Sequence, residues 1–401
     1  MKILIVGSGG REHALSWALA RSEGVSEVAV CPGNGGTEWA GSDGVAPCRC
    51  VVGDPERLAE DFDLVVVGPE APLVEGLADK LLGVPVFGPS KKAAQIEASK
   101  DYAKKIMKKK GVPTARHEII TSVDQLTAFG TPVVVKDDGL AAGKGVGVFD
   151  RLEEARTFFL DLSSRCERIF VEEYLPGPEL SVLAFCDGMN YSLMPPARDY
   201  KRRFEDDKGP NTGGMGAISP VTDLPEGLLE NVGRDIIAPV LRGLAEDGAP
   251  FVGVLYAGLK LTPDGPKVLE FNCRFGDPET QVILPQFEGN LAEFMLSCAE
   301  GRLDESLVKW SGRAHTAVVL ASEGYPGPYE KGFMIEGLEQ DEVLLFQAGT
   351  ARENGGVVTS GGRVMALVGR GADLEDSTRA AYELVEKVSF EGAVYRKDIG
   401  S

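Results

Sequence analysis

The stretch VLEFNCRFGDPETQ, residues 268–281, begins like an interior strand and then carries five charged or amide side chains: Glu270, Asn272, Arg274, Asp277 and Glu279. A core strand does not normally carry so many groups that are costly to bury. The residues RFGDPE predict a sharp turn, which places the last three of these side chains around the same cavity as the first two. This stretch is therefore our first candidate for a functional site.

A metal ion is the interpretation we favour for the strand itself. Because side chains alternate along a strand, Glu270 and Asn272 share one face. We expect Leu269 and Phe271 on the other face. Two oxygen donors on one face suit Mg²⁺, which keeps several positions for water and phosphate. A buried ion-pair network is the alternative, since such a network is also costly to disrupt.

A second candidate is the glycine-rich segment VVVKDDGLAAGKGVGVF, residues 133–149, which predicts a β-hairpin with a glycine tip. It is not a P-loop, because the spacing from Gly139 to Gly143 is one residue short and glycine replaces the metal-binding Ser or Thr. A flap carrying Lys144, entered through Lys136, is suited to closing over a triphosphate and releasing it. The alternative is an ordinary surface hairpin, although clustered glycines cost chain entropy.

Two further segments carry weaker signals. In RIFVEEYLPGPELS, residues 168–181, acids at a strand end near the flap are suited to the adenine amino group and the ribose hydroxyls, with Glu179 the better ribose candidate. Exposed glutamates are otherwise usually solvated. The segment KGPNTGGMGAIS, residues 208–219, is suited to wrapping a small carboxylate through backbone N–H groups. A flexible loop is the alternative.

The opening GSGGRE predicts a strand, a glycine turn and a helix whose free N–H groups suit an anion, with Arg11 beside them. The alternative is that Gly9 and Gly10 only permit the turn. The dinucleotide fingerprint requires glycine where Glu12 stands, and no acid ends the second strand. We therefore expect no redox cofactor.

Composition limits the possible partners and the location. The chain has 42 Lys and Arg against 61 Asp and Glu, a net charge of −19. Nucleic acids and membrane surfaces attract basic faces, so we expect neither as a partner, whereas small anions need only local cations. No apolar run approaches the ~18 residues of a membrane span, and the start MKILIVGSGG does not read as a signal peptide. Seven cysteines without a C-x-x-C pair favour a reduced, cytoplasmic protein.

The surrounding elements indicate a multidomain α/β and α+β chain. Strands and helices alternate over the first hundred residues, which predicts a parallel sheet covered on both faces, with functional loops at the carboxyl ends of the strands. A basic amphipathic helix is expected at 91–110, followed by a strand-rich region. From about residue 315, short strands and a final helix suggest a third, smaller α+β unit.

In this order, the motifs resemble the glycinamide ribonucleotide synthetase (phosphoribosylamine–glycine ligase) family, ATP-grasp enzymes of purine biosynthesis. The matching motifs are GSGGREHAL, CPGNGGT, VVGPEAPLV, FGPSKKAAQIEASK, DGLAAGKGV, GPNTGGMGA, GVLYAGL, EFNCRFGDPETQ and GGRVMALV. The resemblance covers essentially the whole chain. GPNTGGMGA and EFNCRFGDPETQ together are specific to this family, whereas the general ATP-grasp pattern is looser.

The resemblance implies a domain organisation and a reaction. An N-terminal α/β domain for the substrate phosphate (1–100) precedes an ATP-grasp region (101–314), which includes a small ATP-covering subdomain (115–188), and a C-terminal α+β domain follows (315–401). Glycine attacks ATP to give glycyl phosphate, and 5-phosphoribosylamine then displaces phosphate. The implied cofactors are ATP as co-substrate and Mg²⁺ or Mn²⁺. We expect a monomer acting on these small molecules.

The resemblance also implies roles for individual residues. The expected ATP-binding residues are Lys104, Lys136, Lys144, Glu172, Glu173, Leu175 and Glu179. The expected substrate-binding residues are Gly9, Gly10, Arg11, Glu12, Asn34, Asn211, Thr212, Gly213, Gly214, Met215, Gly216, Asp277 and Glu279. The expected metal ligands are Glu270 and Asn272, and the expected catalytic residues are Arg274, Asp277 and Lys144.

Two positions depart from the family pattern. The family usually has Ala at Asp137, where a negative charge near a triphosphate is unfavourable unless it points away. Tyr200 stands where the family has histidine, so any role of that imidazole is lost or was never needed. Two rival functions remain open. Another ATP-grasp carboxylate–amine ligase has no reason to keep GPNTGGMGA, and a non-catalytic nucleotide sensor has no reason to keep the metal-site stretch.

Overall fold

The computed structural model describes residues 1–139, 145–164, 166, 168–338 and 344–401. The predicted flap tip, including Lys144, lies outside the described residues. Among the helices of the described ranges, none is long and apolar enough to cross a membrane.

The first part of the chain forms a five-stranded parallel sheet with the strand order β3-β2-β1-β4-β5. Its strands are β1 Lys2–Gly7, β2 Glu27–Pro32, β3 Cys48–Cys50, β4 Leu64–Val67 and β5 Val86–Phe87. Its helices are α1 Gly10–Leu19, α2 Pro55–Leu58, α3 Glu70–Glu75 and α4 Leu77–Lys80. Ile3, Leu4 and Ile5 are fully buried, as expected of a strand covered on both faces.

The segment predicted as one helix over 91–110 forms two helices, α5 Gln95–Ala98 and α6 Lys100–Lys110. The break is at Ser99, whose backbone is extended and whose hydroxyl accepts from the Tyr102 N–H at 3.2 Å. A serine at that position caps the second helix, a contribution that apolar periodicity does not reveal. The helix ends at Gly111, which has the left-handed φ of 68° typical of a helix C-terminus.

A small antiparallel sheet with its own core follows, in the strand order β6-β9-β7-β8. Its elements are β6 His117–Ile120, β7 Val133–Asp137, β8 Val146–Phe149, α7 Leu152–Ser163 and β9 Ile169–Glu173. The predicted hairpin is present, since β7 and β8 pair in antiparallel register with Lys136 opposite Val146. Leu126, Val135 and Leu162 are fully buried in a hydrophobic cluster that belongs to this unit alone.

The central region contains a second antiparallel sheet, in the order β11-β10-β16-β17. The strands of this sheet are β10 Glu179–Gly188, β11 Tyr191–Leu193, β16 Phe251–Thr262 and β17 Gly265–Asn272. Four strands of other sheets lie between β11 and β16 in sequence: β12 Arg198–Asp199, β13 Arg202–Phe204, β14 Lys208–Asn211 and β15 Gly216–Ser219. The helices of the central region are α8 Leu228–Val232, α9 Ala238–Glu246, α10 Glu279–Ile283 and α11 Leu291–Ala299. The segment predicted as a loop over 208–219 therefore contains two strands, β14 and β15.

A six-stranded sheet links this region to the end of the chain, in the order β12-β15-β18-β22-β19, with β23 paired to β18. The remaining elements are β18 Ala314–Ser322, β19 Leu344–Gln347, β20 Thr350–Glu353, β21 Gly356–Thr359, β22 Arg363–Gly371, α12 Leu374–Val385 and β23 Ala393–Val394. Because β15 is the last part of the glycine-rich segment and pairs with β18, this sheet holds that segment against residues about 100 positions later in sequence.

The expected strand alternation over 268–272 is partly wrong. Pairing between β16 and β17 shifts register at Leu269, so that Leu259 opposes Val268 and Gly258 opposes Glu270. One extra residue in a strand is a β-bulge, and it changes the face on which the upstream side chains lie. Val268, not Leu269, is therefore buried with Phe271 in the core. Glu270 is exposed and Asn272 half-buried, opposite to the buried Phe271.

Candidate functional site

Three charged side chains meet in a buried triad between α6, β7 and β9. Lys104 Nζ lies 2.8 Å from Glu172 Oε1, and Lys136 Nζ lies 2.7 Å from Glu172 Oε2. All three side chains are at least 90% buried. Burial opposes ionisation of Glu172, but the two ammonium groups outweigh it and lower its pKa to about 2. The triad thus carries one net positive charge away from water, which an anionic ligand would compensate.

A second acid on β10 is paired in the same way. Glu179 Oε2 lies 2.8 Å from Lys201 Nζ, and Glu179 Oε1 lies 3.4 Å from Lys260 Nζ. Burial opposes ionisation here too, yet attraction by the two lysines lowers the pKa of Glu179 to about 2. Of the other predicted ATP residues, Glu173 accepts the Arg116 N–H at 3.0 Å and Leu175 is buried.

The predicted metal ligands lie on the exposed face of β17. Within the described part of the chain, the Glu270 carboxylate forms no hydrogen bond or ion pair. Asn272 Oδ1 accepts from Arg274 Nη2 at 3.2 Å and retains a second lone pair. One unpaired carboxylate and one amide oxygen fit Mg²⁺ or Mn²⁺ whose other ligands are phosphate and water. The described residues contain no group of three His, Cys, Asp or Glu arranged to hold a metal alone.

Arg274 is held by acids from the N-terminal part of the chain. Its Nε lies 3.3 Å from Glu70 Oε2, and its Nη2 lies 3.2 Å from Glu97 Oε1. Burial alone would lower its pKa, but the two acids raise it above the ordinary value. A guanidinium anchored on both sides is preorganised to stabilise negative charge that develops beside Asn272.

The predicted anion site at the start of α1 is ordered by Glu12. The Gly9 N–H donates to Glu12 Oε2 at 2.5 Å, and Arg11 Nε donates to Glu12 Oε1 at 2.6 Å. Arg11 Nη1 donates to the Phe275 carbonyl at 3.0 Å, which connects α1 to the turn after β17. A Cβ on Gly68 would lie 1.9 Å from Glu12 Oε1, so this glycine makes room for the buried carboxylate.

Asn34 lies beside the same turn but is occupied by protein contacts. Its Nδ2 donates to the Ser8 carbonyl at 2.9 Å and to the Gln347 carbonyl at 2.8 Å, while its Oδ1 accepts the Gly36 N–H at 2.9 Å. These contacts order the loops at the carboxyl ends of β1 and β2. Direct binding of a substrate by Asn34 stays a prediction.

The loop between β14 and β15 differs from the expected carboxylate wrap. The N–H groups of Thr212 and Met215 donate to the Lys201 and Tyr200 carbonyls, each at 2.8 Å. Those of Gly213 and Gly214 donate at 3.0 Å to the Tyr325 hydroxyl and the Thr212 hydroxyl. These four groups are already engaged, so they do not offer the free backbone donors that the sequence predicted. The flanking Asn211 and Gly216 lie in the strands β14 and β15.

Arg363 supplies a positive charge at this loop that the sequence reasoning missed. From the start of β22, its Nη1 donates to the Gly213 carbonyl at 2.6 Å and to the Asp277 carbonyl at 2.7 Å. Its Nη2 lies 3.2 Å from Asp277 Oδ2. Burial opposes ionisation of Asp277, but Arg363 and then Arg11 outweigh it and lower its pKa. The motif GGRVMALV contained this arginine, but nothing local marks it as a site residue.

Glu279 lies in the interior with two hydroxyl donors. Its Oε1 accepts from the Tyr256 hydroxyl at 2.6 Å and from the Ser181 hydroxyl at 3.3 Å. Since the side chain is fully buried, these donors compensate for its lost hydration. The Glu279 charge raises the pKa of Asp199 on β12, an acid that the sequence reasoning did not identify as a candidate.

Both departures from the family pattern have local explanations. Asp137 Oδ1 accepts the Gly139 N–H at 2.9 Å, so its carboxylate is used within the turn that follows β7. The Tyr200 hydroxyl accepts the Gly400 N–H at 3.1 Å, and the Arg396 guanidinium lies 5.2 Å from the Tyr200 ring centroid. Tyr200 therefore attaches the last residues of the chain to the glycine-rich loop region.

Sequence comparison shows which family has this arrangement. The phosphoribosylglycinamide synthetase profiles match residues 1–97 (N domain), 98–280 (ATP-grasp (A) domain) and 315–401 (C domain). The phosphoribosylamine–glycine ligase of Halalkalibacterium halodurans is 46% identical over 100% of this chain and 97% of its own length. The chain belongs to the phosphoribosylglycinamide synthetase family. Human trifunctional purine biosynthetic protein adenosine-3 is 44% identical to this chain. The match covers 100% of this chain and 42% of the human protein.

Solved structures agree with this membership. The phosphoribosylamine–glycine ligase of Thermotoga maritima superposes with a TM-score of 0.86 and 37% identity, covering 100% of both chains. The biotin carboxylase domain of Hydrogenobacter thermophilus 2-oxoglutarate carboxylase, solved with MgADP, has a TM-score of 0.71 over 98% of this chain and 91% of its own. At 14% identity, that likeness shows the fold alone. The predicted family, the ATP-grasp fold and the ATP-dependent ligase class of this synthetase are confirmed.

Proposed function

We infer that the chain joins glycine to 5-phosphoribosylamine at the expense of ATP and gives glycinamide ribonucleotide, ADP and phosphate, a step of purine biosynthesis. The observation that carries this inference is the convergence of Arg11, Asp277 and Arg363. Arg11 contacts the turn that contains Asp277, and Arg363 joins that turn to Gly213. Groups expected to bind phosphoribosylamine therefore lie beside groups expected to bind glycine, as a ligation requires.

For ATP, we propose that the Lys104–Glu172–Lys136 triad attracts the phosphates. Its net positive charge is buried, where electrostatic attraction is stronger than in water. Lys100 lies near it and donates to the Gly139 carbonyl at 2.9 Å, at the base of the proposed flap. The adenine and ribose roles of Glu173, Leu175 and Glu179 stay predictions, as does the role of Lys144.

For the metal, we propose that Glu270 and Asn272 hold Mg²⁺ or Mn²⁺ between the protein and the phosphates. Such an ion neutralises charge on the phosphate oxygens during transfer. The fit rests on the unpaired Glu270 carboxylate and the free lone pair of Asn272. Lys100, Lys136 and Lys201 all experience the Glu270 charge, so this carboxylate faces the proposed phosphate region.

The proposed reaction has two steps. A glycine carboxylate oxygen attacks the γ-phosphorus, the bond to the β-phosphate oxygen breaks, and ADP leaves with that electron pair. The amine of phosphoribosylamine then attacks the carbonyl carbon of glycyl phosphate, expels phosphate and loses a proton as the amide forms. We propose that Arg274 stabilises charge in the first step; the support is that Glu70 and Glu97 hold its guanidinium beside Asn272. We propose that Asp277 lies beside the groups that react in the second step.

The function is tested by ADP release from ATP and Mg²⁺ with glycine alone, with phosphoribosylamine alone and with both. We expect strong release only with both substrates, and none when alanine replaces glycine. Release that is indifferent to the amine would contradict the assignment of residues 9–12 to phosphoribosylamine. Bound ATP without release under any combination would favour the nucleotide sensor, and release with another acid would favour a different ATP-grasp ligase.

The location is proposed from the cysteines, and the domain boundaries and the monomeric state are predictions from the sequence. Cys31, Cys48, Cys50, Cys186, Cys273 and Cys298 are free thiols, which is typical of a reducing compartment, and we place the protein in the cytoplasm. The boundaries at 100 and 314, and the subdomain 115–188, stay predictions that limited proteolysis tests. The monomeric state also stays a prediction, and sedimentation at several concentrations would check it.

A further inference from the structure

The group of acids around Tyr256 has more negative charge than its lysines neutralise. Glu179 is paired with both Lys201 and Lys260. Glu279 accepts from the Tyr256 and Ser181 hydroxyls, which are neutral donors. Asp199 is the third acid, and within the described part of the chain its carboxylate forms no ion pair and no hydrogen bond to another residue.

The surroundings of Asp199 disfavour an unpaired charge. Burial raises the pKa of Asp199 to about 7, and the neighbouring Glu279 and Glu179 carboxylates add to the effect, although the Lys201 ammonium opposes it. A desolvated acid beside other acids is costly unless a cation pairs with it. Lys201 attracts both Glu179, which is 2.8 Å away, and Asp199, so Lys201 and Lys260 together leave one of the three acids unbalanced, and a cationic group of a ligand would balance it.

Asp199 lies beside the glycine-rich loop. Its strand β12 pairs with β15, with Asp199 opposite Ala217. The next residues are bonded to the glycine-rich loop, because the Tyr200 N–H donates to the Gly216 carbonyl at 2.9 Å and the Thr212 N–H donates to the Lys201 carbonyl at 2.8 Å. Asp199 is thus attached to the loop whose other side meets Asp277 and Arg363.

We propose that Asp199 binds the α-ammonium group of glycine and so makes the enzyme prefer an amino acid to other small carboxylic acids. The proposal rests on the proposed function, since it concerns the acid substrate of that reaction. An ammonium ion matches this place better than a divalent cation. It carries the single charge that balances one carboxylate, and it has three donors to share among neighbouring acids. The lysine ammonium nearby would repel a doubly charged ion twice as strongly.

The test compares glycine with glycolate, in which a hydroxyl replaces the ammonium group. Apparent KM and kcat are measured from ADP release for the wild type, Asp199→Asn, Asp199→Glu and the control Asp223→Asn. Asp223 is an exposed acid that pairs with Arg198, the residue before Asp199 in the sequence. Asp223 itself lies outside the proposed site. Melting temperature and ATP affinity are measured for every variant to establish that it folds.

We expect Asp199→Asn to raise the KM for glycine about 10- to 100-fold, which is the usual loss for one charged hydrogen-bond partner. Use of glycolate should change less than threefold, so the preference for glycine over glycolate falls at least tenfold. Asp199→Glu should recover part of that preference, and Asp223→Asn should leave it unchanged.

Other results overturn the proposal. An unchanged KM for glycine, or an equal loss for glycine and glycolate, means that Asp199 does not bind the ammonium group. A higher KM for phosphoribosylamine alone assigns Asp199 to the other substrate. If Asp199→Asn does not fold, Asp199→Glu decides: its preference for glycine over glycolate must fall below that of the wild type. If the wild type binds ATP but shows no turnover with either acid, the proposed function itself is refuted. The wild-type data show this before any variant is made.

Discussion

Replacing Glu172 by glutamine tests the buried triad most directly. The change keeps the shape of the side chain but leaves Lys104 and Lys136 without their shared counter-ion. The pKa of Glu172 falls from 4.5 to about 2 on folding, and 2.5 units correspond to about 3 kcal/mol. Removing one member of a buried pair costs a similar amount, about 3–5 kcal/mol. Both routes predict a loss of about 3 kcal/mol at pH 7.

Hydrogen exchange measures this loss where it occurs, because a multidomain chain does not unfold in two states. A loss of about 3 kcal/mol should lower the protection factors of amides in β7 and β9 roughly 150-fold. The control is Glu118→Gln on β6, an exposed acid on the strand that pairs with β9, which should change stability by less than about 0.5 kcal/mol.

The pH dependence supplies a further check. A carboxylate with a lowered folded-state pKa stabilises the fold above its unfolded pKa and loses that effect as pH falls towards the folded value. The difference between wild type and Glu172→Gln should therefore be constant above about pH 5 and shrink between pH 4.5 and 2. Equal protection in both proteins at pH 7, or a difference that does not depend on pH, would refute the reasoning.

Three other substitutions probe the rest of the site. Glu270→Gln should lower kcat at least tenfold and weaken the dependence on Mg²⁺ without changing the melting temperature; unchanged turnover would remove the metal assignment. Arg363→Ala should lower kcat about tenfold or more at unchanged ATP affinity, because the loop and Asp277 lose their shared donor, whereas the exposed Arg370→Ala on β22 should have no effect on either quantity. Gly68→Ala should raise the KM for phosphoribosylamine more than that for ATP, since the new Cβ would displace the buried carboxylate beneath Arg11; an equal rise in both would point to general misfolding.

Much of the architecture could be predicted because it depends on local patterns. The run ILIV in β1 is apolar on both faces, which only a sheet covered on both sides accommodates. The β7–β8 hairpin follows from two apolar runs around a glycine tip. Where the prediction was wrong, a local exception was responsible: a serine cap divides 91–110 into two helices, and a bulge at Leu269 places Val268 in the core. Apolar periodicity registers neither feature.

The sequence by itself determined the family, the order of the elements and most of the residue types that the site requires. The tertiary structure alone decided which charges are paired. It joined Glu172 to Lys104 and Lys136 and brought Arg363 to Gly213 across 150 residues of sequence. Among the residues that the structure describes, it left the Asp199 carboxylate without a hydrogen bond or ion pair to another residue. The physical reason is that strand and helix signals act over a few neighbouring residues. The cost of a buried charge, in contrast, depends on whichever distant segments exclude water from it and on the opposite charges they bring.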